Sequence, residues 1–401
     1  MAAESHPYSE STQSESASAR PAPDRAPDVV VIGAGVCGLG IAWRLRQRGL
    51  AVTMLDKGAV GAAASWVAGG MLAACAEAEP GEEELVRLGR HAQAMWPAFA
   101  AELEAATGVA VGLRSEGTLV VAPTADERAR LLHHHAFQKS LGLTLDWLPP
   151  SEVRRREPHL AASLAGAMFS PEDHQVETRS LVTALARVAA AVGVDLRPHT
   201  AVARIVVDNG RATGVELADG SRIAAGTVVL AAGAWSRGIE GLPPAARPPV
   251  RPIKGQVIAL TMDPAAPLLR HVLWAPGCYL VPRNDGQLIL GATVEEKGFD
   301  TAITAGGIFS LLEAAWRVLP AIEELPIVDT VVGHRPGSRD DAPILGVSEV
   351  PGLVYATGHH RNGILLAPVT ADAIARLVAG EGTDPAIAAF GMERFAAKAA
   401  A

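Results

Sequence analysis

The stretch that decides the fold is Val29-Val30-Val31-Ile32-Gly33-Ala34-Gly35-Val36-Cys37-Gly38. Its first four residues form an unbroken apolar run, the pattern of a strand buried on both faces of a parallel sheet. Gly33, Gly35 and Gly38 follow with GxGxxG spacing, and each has a mechanical task. The first makes a tight turn, the second lets backbone approach a pyrophosphate, and the third lets helix pack closely on strand. A helical stretch then runs to Arg48 and stops at Gly49, a natural C-cap, before a second apolar strand over 52–55 that ends in Asp56. This is a β-turn-α-β unit of the dinucleotide-binding kind. The helix start offers oriented N–H groups to an anion, and Asp56 can accept hydrogen bonds from ribose hydroxyls. Its charge disfavours a 2′-phosphate, so NADP is a poor candidate, while the motif alone leaves NAD and FAD open.

Composition bounds the rest. The chain has 401 residues, a formal net charge of -8, 49% hydrophobic and 19% charged residues, which describes a soluble globular protein. At roughly 150 residues per domain, two or three domains are expected. The acidic balance, pI ≈ 5.9, argues against nucleic-acid binding, which needs a basic face. The short run Arg154 to Arg156 reads as a solvated helix face. Cys37, Cys75 and Cys278 are odd in number and lack a CxxC pair, which favours reduced thiols in the cytoplasm. Residues 1–27 are rich in Ser, Ala, Glu and Pro and read as a flexible tail without a secretory or mitochondrial signal. No segment has the roughly 20 consecutive apolar residues of a membrane span.

Downstream, helices are expected over 82–108, 125–141 and 178–192, with a short strand at 118–121. A β-meander is expected over 202–207, 212–217 and 222–224, because Asn209-Gly210 and Asp219-Gly220 are hairpin turns. Strands follow at 227–231, 256–260, 279–282 and 287–292, a helix at 308–318, strands at 327–332 and 353–356, and a last helix at 363–379. The fold class is therefore α/β: a Rossmann-like nucleotide-binding domain with an antiparallel-sheet α+β domain. The expected division is 28–90, 150–240 and 328–395 for the first, and 91–149 and 241–327 for the second.

Three more glycine-bearing segments accompany the first: residues 62–71, 228–236 and 357–364. With these, and with the segments 277–283, 334–337 and 358–368, the chain from Asp28 to Phe390 resembles the flavin-dependent amine oxidases related to D-amino-acid oxidase, and within them the glycine oxidases of bacterial thiamine biosynthesis. The resemblance implies non-covalent FAD between the two domains. It places Gly33, Gly35, Gly38, Asp56, Ser65, Gly70, Met71, Val202, Gly233, Gly358, Arg361, Asn362, Gly363 and Ile364 at the cofactor. The implied partners are a small amino-acid substrate and oxygen, and homo-oligomerisation is expected by resemblance only.

Flavin carries the redox step, so positioning is most of the protein's work. Arg335, in Gly333-His334-Arg335-Pro336-Gly337, matches the family's carboxylate-binding arginine, whose planar fork suits a carboxylate. Tyr279, one of three tyrosines, matches the tyrosine that joins it. Arg361 is expected beside the flavin and within reach of the pocket, with an interdomain ion pair as its alternative role. The sequence departs from the glycine oxidase pattern at Trp274, where a second active-site tyrosine stands, at Gly277, in place of a histidine, and at Val294, in place of a flavin-facing methionine. Lys254 and Gln256 are expected to support the pocket. His133, His134 and His135 fan around a helix instead of converging on a metal, and Cys278 beside Tyr279 is set aside as a covalent flavin anchor. The expected activity is oxidation of glycine, sarcosine and small D-amino acids to the 2-oxo acid, ammonia or amine, and hydrogen peroxide. Two readings stay beside it: a D-amino-acid or sarcosine dehydrogenase with a quinone or carrier as acceptor, and an FAD-binding subunit without amine oxidation.

Overall fold

Residues 26–396 are described by a computed structural model, and most of the expected tail lies outside them. The apolar run Val29–Ile32 is fully buried at the centre of a six-stranded sheet. Val30 pairs with Thr53 on one side and Val228 on the other, both in parallel register. The strand order is Ile344–Val347, Leu353–Thr357, Thr227–Leu230, Val29–Ile32, Val52–Leu55 and Asp195–Arg197, and only the first pair is antiparallel. The helix Val36–Gln47 packs between the helices Thr178–Ala191 and Ala367–Val378. The expected meander forms as the strands Val202–Asp208, Arg211–Leu217 and Arg222–Ala224.

An eight-stranded sheet makes the second layer. Its order is Ile327–Gly337, Arg251–Thr261, Gln287–Gly291, Cys278–Pro282, Val272–Ala275, Thr118–Ala122, Gly166–Ser170 and Asp146–Leu148, antiparallel except between Val272–Ala275 and Thr118–Ala122. Side chains alternate across it. Ile258, Leu273, Cys278, Leu280 and Leu290 bury one face together with Leu311, Ala315 and Val318 of the helix Ala305–Val318. The other face carries Trp274, Tyr279 and Val281, and it is this face that holds the candidate site.

Several expected boundaries move. The strands Gly166–Ser170 and Ile327–Gly337 pair into the eight-stranded sheet, although 150–240 and 328–395 were expected with the nucleotide-binding segments. Conversely, the helix Glu83–Thr107 packs into the core around the parallel sheet, although residues from 91 on were expected with the substrate layer. Its stripe Leu85, Leu88, Ala92, Trp96, Phe99 and Leu103 has helical spacing, but that spacing names no partner. The strand expected over 327–332 continues to Gly337, because an edge strand tolerates Pro336. The last helix begins at Ala367, leaving residues 358–366 as an irregular turn.

Trp96 links this core to that turn. It is fully buried, meets Phe99 edge-on at 5.5 Å, and its Nε1 donates to the Leu365 carbonyl at 2.9 Å. Trp96→Ala should cost about 3 to 5 kcal/mol of stability, from the lost ring and the cavity it leaves. Trp96→Phe should cost less, and denaturant midpoints of the two variants check the order.

Candidate active site

The glycine turn is shaped by collision. Gly33 has φ 104°, and a β-carbon there would strike the Ala231 carbonyl, while one at Gly38 would strike the Gly33 carbonyl. Gly35 meets only the Ser65 hydroxyl, 3.2 Å from where its β-carbon would be. Ser65 Oγ accepts a hydrogen bond from Val36 N at 3.0 Å, so a distant side chain caps the helix that glycine cannot cap. Asp56 accepts from Ala34 N and Gly58 N, both at 2.8 Å, and each carboxylate oxygen keeps a lone pair for a hydroxyl. Thr200 N donates to the Asp56 carbonyl at 2.6 Å, which brings the chain leading into Val202 alongside. Across the sheet, Thr357 Oγ1 donates to the Gly233 carbonyl at 3.2 Å and joins the expected turns at Gly233 and Gly358. A bare backbone cradle at a helix start and an acid at the next strand end fit an adenine dinucleotide.

Facing this cradle, the eight-stranded sheet forms a trough floored by glycine. Arg335 sits in the strand Ile327–Gly337 and its guanidinium lies over Gly255, where a β-carbon would come 2.6 Å from Nη1. Nη1 donates to the Thr293 carbonyl at 3.1 Å. Tyr279 pairs across strands with Trp274 and Gly291, and its ring fills the space over Gly291 while its other side rests on Gly69. Burial pushes the Tyr279 hydroxyl up from its ordinary pKa, and the neighbouring Arg335 charge opposes that rise. Trp274 is 5.5 Å from Tyr279 between ring centroids, and its indole N–H is buried without a partner. Among the described residues no carboxylate pairs with Arg335, so its charge is open to an anion.

Arg361 takes part in an ion-pair cluster, the alternative role open to it. Its guanidinium is held by Glu77 at 2.7 Å and Glu82 at 2.8 Å, with the Glu77 carbonyl at 3.3 Å, and it does not join Arg335 and Tyr279. Both carboxylates come from the loop 73–82. The rest of its turn lies against the phosphate helix: Asn362 is buried, and Cys37 Sγ lies 3.8 Å from the Gly363 carbonyl. Ile364 is in the same core as Val36, while Gly70 packs against the Val176 carbonyl and Met71 against the Tyr279 cluster. Val294 is 73% exposed, and Gly277 has φ 86° at its hairpin. Cys278 points to the opposite face from Tyr279, so the sheet itself keeps it from a flavin in the trough. Lys254, wholly buried, reaches Asp300 and the Ala302 carbonyl at 2.6 Å, and Gln256 donates to Glu295 at 2.7 Å. Both hold the segment whose Thr293 carbonyl receives Arg335.

Sequence reasoning missed Arg283, Glu77 and Glu82. Arg283 is buried and donates to the carbonyls of Gly69 at 2.7 Å and Val176 at 2.6 Å. A lone arginine after a proline carries no signal of that, and the glutamates are lost in an acidic segment.

A parallel sheet with a glycine cradle, facing an antiparallel sheet with a free arginine and a tyrosine, defines a two-layer FAD-binding oxidoreductase. The chain belongs to the FAD dependent oxidoreductase family, whose model matches residues 28–377. It is 38% identical over 375 residues to a glycine oxidase of Geobacillus kaustophilus, covering 92% of this chain and 98% of that one. The crystal structure of glycine oxidase from that organism superposes with a TM-score of 0.85 at 37% identity, over 92% and 98% of the two chains. A bifunctional ThiO/ThiG protein of Trichormus variabilis is 36% identical, over 92% of this chain and 55% of that one. The structure of an iminodiacetate oxidase from a Chelativorans species shares 28% identity, with a TM-score of 0.82 over 90% and 98%.

The cradle residues fit FAD, and Gly35→Val, which meets only the Ser65 hydroxyl, should yield folded protein that loses flavin, read as the flavin-to-protein absorbance ratio after gel filtration. His359 gives a pH prediction. It is buried between Cys37 Sγ at 3.6 Å and Thr370 Oγ1 at 3.1 Å, and burial pushes its pKa down to about 4. With the folded pKa below the unfolded one, its neutral form stabilises the fold above about pH 6.5, and that contribution is lost as pH falls through about 4. Melting temperature should drop over this window, and His359→Asn should flatten the drop.

Proposed function

We propose that this FAD-dependent amino-acid oxidase acts on glycine and other small amino acids, sarcosine and small D-amino acids among them, and serves thiamine biosynthesis. The parallel layer would hold the nucleotide and the eight-stranded layer the substrate. The observation that carries this reading is Arg335: a cation without a carboxylate partner among the described residues, lying on Gly255 and beside the Tyr279 hydroxyl. It calls for a small anion, and the substrate carboxylate supplies one.

Arg335 binds that carboxylate with two parallel N–H donors, and the Tyr279 hydroxyl donates to one of its oxygens. The Thr293 carbonyl keeps the guanidinium from turning away. Gly255 and Gly291 leave the trough shallow, so the bound α-carbon is presented outward to the cofactor layer. Bound FAD supplies the two-electron oxidation of the α-carbon and passes the electrons on to oxygen, giving hydrogen peroxide. The amine enters deprotonated, so no side-chain base is needed, and the imine product hydrolyses in water to the 2-oxo acid and ammonia or amine.

A cytoplasmic location is part of the proposal, supported by the free thiols of Cys37, Cys75 and Cys278. Among the described residues no helix is long and apolar enough to cross a membrane. Self-association is supported by Phe309 and Trp316, 67% and 50% exposed on one face of the helix Ala305–Val318.

Anaerobic titration of the flavin spectrum with glycine, sarcosine and D-alanine, followed by air and a peroxide assay, tests the reading. Bleaching and rapid return of colour with peroxide is expected. Reduced flavin that persists in air would move the acceptor to a quinone or carrier, and flavin that never bleaches would end the enzyme reading. Arg335→Ala should lower kcat/KM for glycine by about 3 to 5 kcal/mol, by leaving the carboxylate unpaired in a dry site. Tyr279→Phe should cost less, about 1 to 2 kcal/mol, chiefly in KM.

A further inference from the structure

The strand Ile327–Gly337 carries Arg335 on the trough face and His334 on the opposite one, because side chains alternate along it. His334 is buried, and two aromatic rings close on it. Between ring centroids, Phe299 is 5.5 Å from His334 and Trp235 is 6.2 Å from it. Phe299 and Trp235 stack on each other at 5.0 Å, with 15° between their planes. These two rings come from different layers: Trp235 stands in the turn Gly233–Gly238 that follows a parallel strand, and Phe299 in the segment that follows the antiparallel strand Gln287–Gly291. Lys57, next to Asp56, adds a second contact from the parallel layer, with Nζ 3.7 Å from the centre of the Trp235 ring. We infer that Trp235 is a positioning residue: through its stack with Phe299 and His334 it sets the place of Arg335 relative to the cofactor layer, and so the approach of the substrate α-carbon to the flavin. The inference rests on the amino-acid oxidase reading above and adds to it a residue that acts through Arg335.

Each half of the stack is anchored in its own layer. Ser236 Oγ and Thr357 Oγ1 are hydrogen-bonded at 2.6 Å, and Thr357 Oγ1 donates to the Gly233 carbonyl at 3.2 Å, so the turn bearing Trp235 is fixed to the strand Leu353–Thr357. On the other side Asp300, the neighbour of Phe299, accepts from Lys254 Nζ at 2.6 Å, and its carbonyl meets His334 Nε2 at 3.0 Å. Lys254 precedes Gly255, the floor beneath the Arg335 guanidinium, and His334 precedes Arg335 itself. A shift of Phe299 therefore reaches both residues that flank the clamp. One residue beyond Arg335 the strand meets the cofactor layer again, where His360 N donates to the Pro336 carbonyl at 3.0 Å.

Binding and rate make different demands on this tie. The substrate carboxylate needs Arg335 and Tyr279, which belong to one sheet and keep their spacing whatever that sheet does as a body. The reacting α-carbon also needs the correct distance to the opposite layer, and a misplacement of about 1 Å can cost on the order of a hundredfold in rate. Loss of the stack should thus slow the reaction while leaving the carboxylate site intact.

Flavin-loaded Trp235→Ala should be reduced by glycine, under anaerobic stopped-flow, at a limiting rate lower by about tenfold to a hundredfold, while acetate affinity, read from the flavin spectrum, stays within about threefold of wild type. Trp235→Phe keeps a ring for the stack and should recover most of the rate. Phe299→Ala should show a similar loss, and the double alanine variant should be no slower than Trp235→Ala alone, because both substitutions remove the same contact. A limiting rate unmoved by Trp235→Ala, no recovery in Trp235→Phe, or rate and acetate affinity falling together overturns the inference. If Trp235→Ala does not hold flavin, Phe299→Ala makes the same measurement from a position that is 46% exposed, and an unchanged rate there overturns it. If no amine bleaches the wild-type flavin, the oxidase reading falls and acetate alone judges the tie. The amplitude of its spectral change should then shrink in Trp235→Ala and return in Trp235→Phe, and equal amplitudes, or no effect of acetate on wild type, overturn the inference.

Discussion

Arg283 reaches from the strand Cys278–Pro282 into the loop beside the nucleotide cradle and donates to the carbonyls of Gly69 and Val176. Burial pushes its pKa down to about 10, which leaves it charged at neutral pH. Charge-assisted hydrogen bonds to backbone carbonyls are strong where water is excluded. They set the distance between the two layers at the point where it matters. Gly69 carries one side of the Tyr279 ring, and Gly70 sits so close to the Val176 carbonyl that a β-carbon would collide. The tyrosine of the substrate face and the backbone of the cofactor face are therefore positioned by the same side chain.

Given that spacing, the trough follows from the alternation of the sheet. One face of the four strands from Arg251–Thr261 to Val272–Ala275 is leucine-rich and covered by a helix. The other presents glycine at positions where two long polar side chains must lie flat. Arg335 and Tyr279 do not project freely from the sheet; they rest on its backbone, and this gives the proposed clamp a fixed orientation without a bulky supporting shell. Polar groups around the rim supply the remaining constraint. Lys254 and Gln256 hold the segment that carries Thr293, and Thr293 holds Arg335.

The second cluster has a different character. Arg361 belongs to the same turn as the buried His359, and its two acids come from the loop held by Asp173. That arrangement ties the last turn of the cofactor layer to the loop 73–82. The pairing of Arg361 is a property of charges on loops distant in the chain.

The sequence by itself determined the local units. The run from Val29 to Asp56 contains strand, cradle, helix and acid within one continuous stretch, so its geometry is dictated by neighbours in the chain, and the glycine turns of the meander are legible for the same reason. The motif around Arg335 and Tyr279 pointed to the proposed clamp. Tertiary structure decided which sheet received Gly166–Ser170 and Ile327–Gly337, because a strand's apolar pattern states that it is buried and not against which partner. It decided the burial of the helix Glu83–Thr107 in the nucleotide layer for the same reason. It also decided the fate of Arg361 and Arg283, since a charged side chain is defined by what it meets. Here the partners stand far off in sequence, at Glu77, Glu82, Gly69 and Val176, and only the folded chain brings them within hydrogen-bond distance.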